Sequence, residues 1–229
     1  MLAVINNNGI KRYLKTLRLK GKFRRARLLA FLSAAIALEQ YKTTRAALEY
    51  LKSVGINRRA VYETVIQSYL FLGFPRMIEA AFVFHEIYGP SAGKNKMTGT
   101  GYFPVRKWVL DGRKLCREVY GKNYERLRTR IIEVGPEIFE WMVLEGYGKV
   151  LSRPGLTKIE REVAEVAALI IERRERQLIS HILGSLNVGA DIILIRQVNK
   201  DIAFLAGHRK FRQADKIITR LERRYETQN

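Results

Sequence analysis

Apolar residues recur every three or four positions along almost the whole chain. Leu28, Leu29, Leu32, Ala35 and Ile36 mark one such face, and Val61, Val65, Tyr69 and Leu72 mark another. That spacing places them on one side of an α-helix. No stretch alternates convincingly at period two, so the pattern predicts an all-α protein.

The pattern also repeats. A shift of 134 positions carries Arg27 to Arg161, Ala30 to Ala164, Ala34 to Ala168 and Ile36 to Ile170. The same shift carries Gly55 to Gly189, Gly73 to Gly207 and Ala80 to Ala214, without a gap. Similarity at a fixed offset points to repeated structural units. Each segment reads as helix, helix, glycine stop, helix, glycine stop, helix, because glycine adopts the left-handed conformation that ends a helix. The chain is therefore divided into a helical extension (1–21), a first repeat (22–88), a connecting loop with helices (89–155), and a second repeat with the C-terminal helix (156–229). Within the connection, helices are expected over about 104–120 and 122–148. The Gly-rich stretch "YGPSAGKNKMTGTGYFP" reads as a mobile loop or active-site lid. It is not a phosphate loop, since Asn95 stands where Ser or Thr is needed and a helix rather than a strand precedes it.

Composition narrows the chemistry. Cys116 is the only cysteine, which excludes an intramolecular disulfide and a cysteine-rich metal site. His85, His181 and His208 have no metal-ligand spacing, so no metal and no cofactor is expected. No run of about 18 apolar residues is present, and the basic residues of the first segment follow its apolar patch. A soluble, cytoplasmic protein without a membrane partner is expected. The net charge of +20 attracts polyanions without a dedicated site. An anionic small molecule is the favoured partner. Nucleic acid stays a secondary candidate, because no helix-turn-helix, zinc-finger or RNP-like pattern accompanies the charge.

Candidate chemistry gathers in "LIIERRERQLISHILGSLNVG". Nothing there breaks a helix, but the equivalent place in the first half, "EQYKTTRAA", offers a Thr43 or Thr44 cap. A turn near Glu172–Arg174 and a helical hairpin follow. Glu162 and His181 then lie roughly 16 and 12 Å from the bend, close enough in height for their side chains to meet. Each residue also has a plainer reading. On the residues alone His181 reads first as a core histidine, Glu162 as a helix-dipole partner, and Arg173, Arg174 and Arg176 as a solvated turn. His208 reads as a residue near a turn. Tyr120, Trp141 and Tyr147 read as core or interface aromatics. Cys116 reads as a small packed residue or, given Arg113, Lys114 and Arg117 beside it, as a thiolate.

The segments "GPEIFEWMVLEGYGKVLSRPGLTKIEREVAEVAALI", "RQLISHILGSLNVGA" and "VYETVIQSYLFLGFPRMIEA" resemble the carboxymuconolactone decarboxylase family, which shares its fold with alkylhydroperoxidase D. The resemblance covers about residues 22–222. It implies two alkylhydroperoxidase D-like repeats in one chain and a homo-oligomer, a trimer or dimer. In the peroxidase branch a Cys-x-x-Cys pair precedes the motif histidine, and here those positions hold Arg174 and Gln177. The branch's relay glutamate corresponds to Glu162. The matching residues of the first half are Leu28, Gln40, Thr43 and Ala47, so only the second half keeps a site. The decarboxylase branch needs no thiols. It implies a carboxy-lyase in which His181 moves the proton, Glu162 orients it, and Arg173, Arg174, Arg176 and Gln177 bind a carboxylated, lactone-like substrate. Here Arg176 and Gln177 stand where the decarboxylases usually carry acidic residues. A non-catalytic oligomeric scaffold, a single-cysteine peroxidase using Cys116, and a nucleic-acid-binding protein are the alternatives.

Overall fold

A computed structural model describes residues 7–17, 20–90 and 104–226. The described residues are helical, with no strand among them. The helices are α1 (Asn7–Thr16), α2 (Arg24–Ala37), α3 (Tyr41–Ser53), α4 (Arg58–Gln67) and α5 (Tyr69–Tyr88). The connection carries α6 (Val105–Tyr120), α7 (Tyr124–Val134), α8 (Pro136–Trp141) and a π-helix (Met142–Leu151). Then come α9 (Lys158–Glu172), α10 (Glu175–Asn187), α11 (Ile192–Asp201) and α12 (Ala203–Glu226).

The helix bounds recur at the offset seen in the sequence. Moved by 134 residues, α3 and α4 coincide with α10 and α11. Backbone exceptions recur as well. Gly73 (φ 80°, ψ 163°) and Gly207 (φ 70°, ψ 164°) kink α5 and α12 at equivalent points. Glu39 (φ 56°) and Arg173 (φ 58°) both hold the left-handed conformation that turns the chain between the paired helices. The caps correspond too: Asn57 accepts from the Arg59 amide at 2.7 Å, and Asp191 from the Leu194 amide at 2.6 Å.

At the centre α2 packs along α9. Eleven of the 14 residues of α2 and 12 of the 15 residues of α9 are buried, so both helices are enclosed on nearly every side. Two arginines clasp the halves crosswise. Arg27 of α2 donates twice to Asp201 of α11, at 2.6 Å each. Its counterpart Arg161 of α9 donates to Gln67 of α4 at 3.0 Å and to the Arg153 carbonyl at 2.7 Å. Glu63, fully buried, is held by Arg59, Arg153 and Arg161.

The connecting region differs from expectation. The single helix expected over 122–148 is interrupted at Gly135, whose φ of 177° is extended, and Pro136 starts α8. Proline has no amide to continue a helix but fits its first turn. The backbones of α6 and the π-helix then touch. A Cβ at Gly148 would fall on the Trp108 carbonyl, and one at Gly112 on the Val143 carbonyl. This glycine crossing sets Tyr147 against Tyr120. Most of the Gly-rich loop, residues 91–103, lies outside the described residues. Among the described residues no helix is long and apolar enough to cross a membrane.

The clasp gives a direct stability test. Burial pushes the Asp201 carboxyl above its ordinary range even against Arg27, so the pair needs both members. Arg27→Met should cost about 3–5 kcal/mol at pH 8, read by urea unfolding, because it strands a buried carboxylate. A loss below about 1 kcal/mol would show that the crosswise pairing contributes little.

Candidate active site

Three ionisable side chains meet between α9 and α10. Glu162 and Glu165, three residues apart, lie on one face of α9. His181 reaches them from the inner face of α10, beyond the Arg173 turn. Its Nδ1 is 3.0 Å from Glu162 Oε2 and 2.9 Å from Glu165 Oε2. All three are buried, with 4%, 2% and 1% of His181, Glu162 and Glu165 exposed. Phe71 closes the side, edge-on to the imidazole at 5.0 Å.

The electrostatics follow from that enclosure. Burial alone would push the imidazole down, but the two glutamates outweigh it and raise His181 to about 10. Glu165 is raised to about 7 by burial and by Glu162, while His181 and Arg161 oppose the rise. The resemblance implies that His181 moves the proton. The group that exchanges its proton near neutrality is instead Glu165, because a second carboxylate keeps the imidazole charged.

Beside the triad lies a cavity of about 310 Å³ between α6, α7 and α10. Ser180, Gly184 and Asn187 line it from α10, Tyr120 from α6, and Arg126 and Arg130 from α7. Gly184 is where the cavity meets the triad. A Cβ there would stand 2.7 Å from Glu162 Oε2 and 2.8 Å from Val119 Cγ1. The missing side chain lets α10 approach both α6 and α9.

Of the residues singled out in the sequence, the structure brings Glu162 and His181 together. Arg173, Arg174, Arg176 and Gln177 are exposed at the hairpin turn. Arg173 donates to Gln213 of α12 at 3.3 Å, and none of the four lines the cavity. Cys116 is fully buried, and burial pushes its thiol up to about 12 against the lowering effect of Arg117. A thiol so placed is protonated and unreactive. Sequence reasoning missed Glu165, whose signal is a second carboxylate three residues after Glu162 in an apolar run. It also missed Arg126 and Arg130, one turn apart on α7.

No known family model matches the chain, and no curated protein matches it.

The raised Glu165 fixes the direction of a pH effect. Between its unfolded value near 4.5 and about 7, the folded chain holds one more proton there than the unfolded chain. Its contribution to stability is therefore full below about pH 4.5 and is lost as the pH rises through 7. The wild type should lose up to about 1.4 kcal/mol per pH unit relative to Glu165→Gln in that window, in paired urea unfolding series. Parallel pH profiles would contradict the assignment.

Proposed function

We propose that this chain is a tandem, two-unit protein of the carboxymuconolactone decarboxylase family with an alkylhydroperoxidase D-like fold. Its second unit performs acid–base chemistry on a small carboxylated, lactone-like substrate without a redox cysteine pair. The recurrence of helix bounds, kinks and caps at an offset of 134 supports the tandem arrangement. The chemistry rests on one observation: the Glu162–His181 contact at 3.0 Å, beside a cavity carrying Arg126 and Arg130.

In this reading Arg126 and Arg130, rather than the exposed arginines of the turn, hold the substrate carboxylates. Loss of carbon dioxide breaks the carbon–carbon bond and leaves its electron pair on the substrate. A proton must then reach carbon. Nδ1 of His181 is engaged by the glutamates, so Nε2 is the nitrogen left for proton delivery. Glu162 orients the ring, the two glutamates on Nδ1 favour the charged imidazole, and Nε2 takes its next proton from solvent. Exposed apolar residues suit the self-association expected of the family: Phe74, Ile78 and Phe82 stand at successive turns of α5.

The near-complete enclosure of His181 favours a second reading, a scaffold that kept the fold and lost turnover. Assay of carboxymuconolactone and related carboxylated lactones separates the two. With fold verified by circular dichroism, His181→Gln should lose about 10²- to 10⁴-fold in rate. Glu162→Gln should fall in the same direction. No turnover by the wild type, or unchanged turnover in both variants, would leave the scaffold.

A further inference from the structure

We infer that Glu162, Glu165 and His181 bind one divalent transition-metal cation per chain. The inference does not depend on the decarboxylase chemistry, because a cation would take the place of the Nδ1 proton and the two loads exclude each other.

The pocket has an unmet demand for positive charge. His181 Nδ1 carries at most one hydrogen, and two carboxylates face it. The hydrogen bond goes to Glu162 at 3.0 Å. Among the described residues neither oxygen of Glu165 has a partner of its own, Oε2 meeting only the Nδ1 already shared with Glu162 at 2.9 Å, although the residue is only 1% exposed. Buried carboxylate oxygens are almost always satisfied, and exceptions point to an ion or water in the pocket. A cation answers better than water, since the pocket holds two carboxylates against one imidazole.

Geometry fits the same answer. The three ligand atoms lie within 4.8 Å of one another. The imidazole nitrogen stands 2.9 and 3.0 Å from the two carboxylates. Adjacent ligands of an octahedral ion with bonds of about 2.1 Å are separated by about 3 Å. Two carboxylates and one imidazole suit Mn²⁺, Fe²⁺ or Zn²⁺ and leave further positions open. The ligands stand on two packed helices, as in bundle metal sites.

The fold itself does not require these residues. At the equivalent places the first half carries Leu28, Phe31 and Ala47, all buried. One cation per chain is therefore expected, not two.

The test uses the full chain, stripped with EDTA and exchanged into chelator-free buffer at pH 8. Mn²⁺ is titrated and its free signal followed by electron paramagnetic resonance. Wild type should bind one Mn²⁺ per chain and melt at a higher temperature with it. Glu165→Gln, near-isosteric, should weaken binding by about 100-fold and lose the thermal shift. Glu162→Gln should behave likewise and carries the test if Glu165→Gln does not fold. Glu133→Gln, an exposed carboxylate on α7, should bind as wild type does. Absence of stoichiometric binding, or equal binding by wild type and both triad variants, would overturn the inference. Lactone turnover by the stripped protein without Mn²⁺ binding would overturn it too, and would leave the acid–base reading standing. Stoichiometric Mn²⁺ binding without turnover would support it while removing that reading.

Discussion

The packing of α2 against α9 is the constraint on which the rest depends. Both helices are buried on nearly every side, so each must present side chains that neighbours can accept. Alanine supplies much of α2, in the run Ala34–Ala35–Ile36–Ala37, and lets the two axes approach. Polar residues on such helices survive only with partners. Arg27 finds Asp201, Arg161 finds Gln67 and Glu63, and Glu160 closes a capping box with Thr157 while pairing with Arg25. The crosswise pairs tie each half to the third helix of the other.

Against that background Glu162 and Glu165 stand out. They occupy an enclosed helix, yet share one imidazole between them. The other half supplies an internal comparison: Leu28, Phe31 and Ala47 occupy equivalent positions and are buried without any ionisable group. An apolar solution to the same packing problem thus exists within the same chain. Buried ionic groups commonly contribute less to stability than apolar residues of similar volume. The triad is therefore better explained by what it can hold, a proton or a cation, than by what it stabilises.

Much of this was legible in the sequence, for physical reasons. Glycine marks places that demand positive φ, so Gly55, Gly73, Gly189 and Gly207 give the turns and kinks directly. The hairpin turn could be placed near Glu172–Arg174 only by comparison with the other half, because Arg173 is a non-glycine residue in a left-handed conformation. Turn placement then brought Glu162 and His181 to the same level. Glu165 was marked only as a second carboxylate in an apolar run, since periodicity does not say which side of an enclosed helix meets a particular neighbour. Nor were Arg126 and Arg130, whose position depends on the break at Gly135 and Pro136 and on the glycine crossing of α6 with the π-helix. The turn arginines drew attention by proximity in sequence, whereas their side chains leave the surface at the far end of the hairpin from Gly184.

A triad that serves a load and not the fold should be dispensable to folding. The most direct test copies the first half into the second: Glu162→Leu, Glu165→Phe and His181→Ala in one chain, with its unfolding free energy measured beside wild type at pH 8. The expected result is a folded variant about 1–4 kcal/mol more stable than wild type. A variant several kcal/mol less stable would show instead that the buried charges hold the structure together.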